Sequence, residues 1–226
     1  MTIPFWIENL PALLRGLVVS IELFAVSTAA GLLLGFLLSL LAVARHRVVR
    51  VIALVITEIG RGIPSLVMLQ LVYFGLPSAG IRLNAMPAAW IALSATTAAY
   101  AAEILRGGYA AVPAGQLDAA RGLALTPRQT LRHIMVPQGI RLAMAPLSGF
   151  CLQMFQATSL AYALSIPELL SRAYDIGSVS FRYLEILSLA GILYAFVGMP
   201  WLLTTSRLES RIARNLGIRG ARASGR

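Results

Sequence analysis

The sequence predicts an all-α integral membrane protein of five transmembrane helices, and three observations carry that expectation. Composition comes first: of 226 residues, 58% are hydrophobic and 12% charged, with a mean hydropathy of +0.78, whereas a soluble domain carries about 25% charged residues. Length follows, because five apolar segments each supply the roughly 20 residues, at about 1.5 Å of rise apiece, that a helix needs to cross the hydrocarbon layer. Charge placement completes the set. All 19 basic residues are arginines and none is lysine. They gather at the ends of apolar stretches and form no interleaved basic and aromatic surface, so the formal charge of +10 reads as membrane orientation and not as a nucleic-acid partner.

Taken in order, the amino terminus MTIPFWIENLPALLRG lacks the basic start and small-residue cleavage site of a signal peptide. The first span, from about Leu17 to Ala44, is therefore expected to remain in the mature chain. The second runs from about Val51 to Leu76 and contains Glu58, Arg61, Gly62 and Pro64 in its cytoplasmic half. Pro64 removes a backbone hydrogen bond and predicts a kink or break, which transport proteins tolerate where backbone lines a cavity. Glu58 and Arg61 stand three apart on one helical face; they either neutralise each other or line the inner mouth of a pathway. The third span, about Pro87 to Leu105, ends on Glu103 and Arg106 with the same spacing. The fourth covers about Ile134 to Tyr162 and the fifth about Tyr183 to Thr205.

The whole chain, 1–226, reads as one transmembrane domain. It has a cytoplasmic loop at about 106–133, an external segment at about 163–182, and a basic cytoplasmic tail at 207–226 expected to lie along anionic lipid of the inner leaflet. Within the external segment, SIPELLSRAYD predicts a short amphipathic helix, with Pro167 in its first turn and Glu168 favourably placed at the amino-terminal dipole. An odd number of spans puts the termini on opposite sides. With the amino terminus outside, Arg45, Arg47, Arg50, Arg106, the four arginines of 121–141 and the six of 207–226 face the cytoplasm. Only Arg15, Arg82, Arg172 and Arg182 face out, Arg61 within the second span being assigned to neither side, and the positive-inside rule selects that orientation.

Several function classes are excluded. Cys151 is the only cysteine, which removes disulfide frameworks and cysteine metal sites. A nucleotide-binding GxxxxGK[ST] cannot exist without lysine. No GxSxG or HExxH occurs, and His46 and His133 both fall in cytoplasmic segments, so an intramembrane hydrolase lacks its groups. A membrane subunit that transports nothing is the remaining alternative from another class.

The most informative stretch is PAGQLDAARGLALTPRQTLRHIMVPQGIR, Pro113 to Arg141. Leu117, Ala120, Leu123 and Ala124 recur at helical spacing, so this is a structured loop and not a linker. A short helix is predicted from about Gly115 to Leu125, with Asp118 in its first turn complementing the dipole. The small Ala119 and Ala120 would admit another backbone, and Leu117 and Leu123 would anchor it in a groove. Thr126 is predicted to cap a following helix that has Pro127 at its first position. At membrane depth, Tyr100, Thr158 and Ser159 are either pathway contacts or groups that pack helices together.

This stretch resembles the cytoplasmic signature loop of permease subunits in polar amino acid ABC importers of the histidine, glutamine, glutamate and arginine type. RGIPSLVMLQLVYFGLP, AAYAAEILRGG, VPQGIRLAMAPL and ATSLAYALSIPELL resemble the family's successive segments in the same order, over nearly the whole chain. The resemblance implies the type I importer permease fold in a bacterial plasma membrane. It implies that Gly115, Gln116, Leu117, Asp118, Ala119, Ala120, Gly122, Leu123 and Ala124 form the coupling helix seated in a cleft of a separate ATPase dimer, which holds ATP and Mg while this chain binds no cofactor. It also implies a second permease, identical or homologous, and an extracytoplasmic substrate-binding protein. Glu58, Arg61, Pro64, Tyr100, Gln156, Thr158 and Ser159 fall where the translocation pathway is expected. The chain departs from the pattern at Asp118 for Glu, Ala124 for Gly, Gln156-Ala157 for Lys-Asp, and Gly149 for Asn. The last two point to a different cargo, such as an opine or amino acid derivative, or to a subunit that holds no substrate.

Overall fold

Apolar residues run almost without interruption from the amino terminus, and the computed structural model, which describes residues 2–215, folds them into one 41-residue helix, α1, Thr2–Ala42. It starts well before Leu17, where hydropathy placed the first span. The added turns are held by tertiary contacts that hydropathy does not register: Leu13 is buried with Leu169 and Ile186, and the Trp6 indole N–H donates to the Glu185 carbonyl oxygen at 3.0 Å.

α2 spans Arg47–Gly62. It stops because the residue before a proline is driven out of helical geometry, and Ile63 is accordingly extended, with φ −86° and ψ 121°. α3, Ser65–Gln70, begins directly after Pro64 and runs on through a π turn, Leu71–Gly75, and a 3-10 turn, Leu76–Ala79. The two halves meet at 102°, so of the kink or break expected at Pro64 the chain makes the break.

α4, Ala85–Ala110, is the central element, packed against α1, α2 and α3. Its surface is lined with alanine, serine and threonine. Helices in lipid associate through close van der Waals packing and not through hydrophobic exclusion, and Gly35 of α1 shows how close: a Cβ there would lie 2.7 Å from the Ala101 Cβ. Beyond α4 come α5, Ala114–Gly122, and α6, Pro127–Thr130. A π turn, Leu131–Met135, joins α6 to α7, Val136–Ala157. A 3-10 stretch, Thr158–Leu164, then leads to α8, Leu169–Ser180, and α9, Tyr183–Asn215. α7 also packs on α4 and α9, and α8 on α1 and α9.

Among the described residues, three helical stretches are long and apolar enough to cross a membrane, Ile3–Ala42, Ala85–Ala110 and Tyr183–Trp201, and the bent pair from Arg47 to Ala79 makes a fourth if it is one span. α7, the core of the expected fourth segment, has 22 residues, but Gln138, Arg141, Gln153 and Gln156 dilute its apolar character. The Arg207-to-Arg226 tail, as an inner-leaflet segment, lies outside the described side chains. In the external segment, Pro167 precedes the helix instead of entering it, and Glu168 is the N-cap of α8.

Candidate functional site: a docking segment and a charged hinge

The candidate docking segment is built on a pinned base. α4 and α7 cross where a Cβ on Gly108 would fall on the Gly139 carbonyl oxygen, and one on Gly139 would lie 2.9 Å from the Tyr109 nitrogen. Tyr109 is buried beside the crossing, and its hydroxyl hydrogen-bonds Ser39 Oγ of α1 at 3.0 Å. Everything between Tyr109 and Gln138 therefore projects from one fixed point.

Within that projection α5 is shorter than its alanines suggest. It ends at Gly122, and the chain reverses through Ala124, whose φ is 51°. The Leu125 N–H donates to the Ala120 carbonyl at 3.0 Å and the Ala124 N–H to the Arg121 carbonyl at 2.9 Å, the paired bonds of a Schellman cap. The helix expected to reach Leu125 is thus corrected: the alanine stands in the left-handed site where glycine is usual. Asp118 is corrected too. It sits in the second turn, and its Oδ1 accepts from Arg121 Nη1 at 2.8 Å, so a local ion pair replaces the dipole role. Ala120 is buried against the body and Leu117 is half-buried, so neither is offered outward. Gly115, Gln116, Asp118, Ala119, Gly122 and Ala124 are exposed, and Leu123 stands 74% exposed among them. The Gln138 side-chain amide reaches Gln116 Oε1 at 3.5 Å.

Thr126 makes the expected cap in full. Its Oγ1 accepts from the Gln129 N–H at 3.3 Å, and its own N–H donates to Gln129 Oε1 at 2.8 Å, a reciprocal capping box.

The second group of predicted residues meets at the break in the second span. Arg61 Nη1 lies 3.4 Å from Glu58 Oε1 and 3.6 Å from Glu103 Oε1, and Arg106 Nε donates to Glu103 Oε2 at 2.8 Å. The two helical pairs read in the sequence are one alternating chain of four charges. The link across α2 and α4, Arg61 to Glu103, has no local sequence signal. The Tyr100 hydroxyl donates to the Arg61 carbonyl at 3.3 Å, and its ring stacks on Phe150 at 5.0 Å between centroids. Pro64 caps this arrangement as the first residue beyond the break.

The outer candidates are less gathered. Thr158 is buried, its hydroxyl donating to the Phe155 carbonyl at 2.7 Å, and Ser159 Oγ donates to the Gln156 carbonyl at 2.8 Å. Both hydroxyls are satisfied by their own turn. The Gln156 side chain is exposed and lines a hollow of about 310 Å³ between α7 and α9, together with Leu152, Gly191, Tyr194 and Gly198.

Sequence reasoning placed Glu168 at a helix start but missed its seat. The carboxylate is fully buried and accepts from the N–H groups of Leu170 at 2.9 Å and Ser171 at 2.7 Å, from Tyr194 Oη at 2.9 Å and from Ser20 Oγ at 3.3 Å. Burial pushes its carboxyl above the usual carboxylate range, against those four bonds. One carboxylate thus ties α8 to α1 and α9. No group of His, Cys, Asp or Glu among the described residues is arranged to hold a metal.

Comparison with known proteins finds relatives over most of the chain. Residues 28–214 match the family model described as a binding-protein-dependent transport system inner membrane component. A probable amino-acid ABC transporter permease of Bacillus subtilis is 38% identical over 188 residues, covering 83% of each chain. An octopine transport system permease of Rhizobium meliloti is 33% identical, covering 90% of this chain and 91% of its own. Among solved structures, an amino acid ABC transporter crystallised with histidines superposes with a TM-score of 0.86 at 29% identity, over 91% of this chain and 96% of that one. The inward-facing methionine transporter superposes with a TM-score of 0.75 at 17% identity, covering 89% and 96%, a likeness of fold alone. The chain therefore belongs to the binding-protein-dependent transport system inner membrane component family, among the permease subunits of amino-acid ABC transporters.

Proposed function

We propose that this chain is the membrane-spanning permease subunit of an ATP-driven importer, forming with a second permease the pathway for a polar amino acid and taking its energy from a separate ATPase dimer. The observation that carries the reading is the docking segment: the 74% exposed Leu123 caps the end of a short helix whose base is pinned between α4 and α7. A groove that receives Leu123 and the outward face of α5 would move both helices at once. ATP and Mg would sit on that partner, and this chain would need no cofactor. Five spans are proposed, α7 serving as the fourth, with the amino terminus outside and the carboxyl terminus in the cytoplasm. An extracytoplasmic binding protein would deliver the cargo. Arg61, Glu58, Tyr100 and Pro64 would shape the inner mouth, and Gln156, Thr158 and Ser159 the outer part.

The test is copurification with the ATPase. Leu123→Glu and Asp118→Lys are each expected to lose the bound ATPase while the permease remains folded; unchanged assembly in both variants would sink the docking model. A second reading of the cargo rests on the octopine permease, which is similar over nearly the full chain. An opine joins an amino acid to a second carboxylic acid. Ligand screening of the associated binding protein against free amino acids and their N-carboxyalkyl derivatives separates the two.

A further inference from the structure

We infer that the start of α2 is a binding site for an anionic phospholipid, its headgroup held by Arg45, Arg47 and Arg50 and its acyl chains laid on the outer stripe of the helix. The three arginines fall within six residues, all are exposed, and none has a carboxylate within ion-pairing distance among the described residues.

The described residues have no spare counter-charge to offer them. Of the described carboxylates on the same side, Glu58 and Glu103 hold Arg61 and Arg106, and Asp118 holds Arg121. Glu8, Glu22, Glu168, Asp175 and Glu185 belong to the opposite half of the fold. Excess cations at a membrane surface draw anionic headgroups.

The helix beside them supplies the second half of the match. Val48, Val51, Ile52, Val55, Ile56 and Ile59 recur at helical spacing and are 48–58% exposed, while Ala53 and Thr57 turn inward on the opposite side. An apolar stripe that begins next to three unpaired cations fits an anionic amphiphile. Free phosphate would leave the stripe bare. A second copy seated here would bring its own three arginines against these, a like-charge contact that disfavours pairing.

The experiment uses the full-length permease in nanodiscs of mixed phosphatidylcholine and phosphatidylglycerol, with the retained lipids counted by native mass spectrometry. Both faces of the disc present both lipids, so the readout does not depend on which way the chain is oriented. Retention of phosphatidylglycerol over phosphatidylcholine is expected to be about tenfold, to fall to near parity in R45Q/R47Q/R50Q, and to persist in R45K/R47K/R50K. Ile52→Ser with Ile56→Ser is expected to lower retention of both lipids while leaving the headgroup preference. Equal retention of the two lipids by the native chain would overturn the site, as would an undiminished preference in the triple glutamine variant with its thermal transition unchanged. Displacement by millimolar inorganic phosphate would also overturn it. Loss of ATPase copurification in the triple glutamine variant with lipid preference intact would assign the patch to a protein instead.

Discussion

Ala124 is the residue at which sequence and backbone disagree most usefully. An L-residue with φ near 51° bears a steric cost of about 1–2 kcal/mol that glycine escapes. Ala124→Gly is therefore expected to stabilise the docking segment by about 1 kcal/mol, and Ala124→Val to destabilise it by more, as thermal unfolding in detergent would show. The alanine misled because its helix propensity is the highest of any residue, whereas the Schellman bonds from Ala124 and Leu125 back into α5 decide its conformation. Thr126 was legible for the opposite reason. A cap is a local device that needs only Gln129 three residues on, and the threonine makes it as read. Glu168 lies between these cases: its nearness to a helix start could be read, but Ser20 and Tyr194, which close its seat, are contributed by other helices 148 and 26 residues away.

At the level of elements, apolar length and composition revealed three of the expected spans, and a fourth if the bent pair is one span, among the described residues, because both are local properties. What they missed is tertiary. The early turns of α1 are held by α8 and α9, and the four-charge chain crosses from α2 to α4. The helix crossing at the docking base offers an internal control. Gly108 and its neighbour Gly107 are sequence twins, yet a Cβ at Gly107 meets nothing within 4 Å while one at Gly108 meets the α7 backbone. Gly107→Ala is expected to leave the fold intact or raise its stability by up to about 1 kcal/mol through helix propensity. Gly108→Ala is expected to force α4 and α7 apart and lower the melting temperature, read in the same thermal assay. Equal behaviour of the two variants would refute close packing at the crossing.

For the whole molecule, the proposed orientation assigns the docking segment and the external helix to opposite faces. Cys151 is buried, so single cysteines placed on the exposed surface can be probed without removing it. A cysteine at Val179, 83% exposed on α8, is expected to react with a membrane-impermeant maleimide in intact cells. One at Leu123 should react only after the membrane is opened. Labelling of both from outside would contradict the five-span topology.

The crossing of Gly108 and Gly139 has one more consequence. Because the two backbones touch there, the thirty residues between them form a closed ring with a fixed fulcrum, and under the proposed docking a force applied at Leu123 would reach the helices as a torque instead of a pull. α4 and α7 would then turn together. Through the Tyr109–Ser39 bond, and through Glu103 gripping Arg61 just short of the 102° break, that turn would reach α1 and the hinge of the second span in the same stroke.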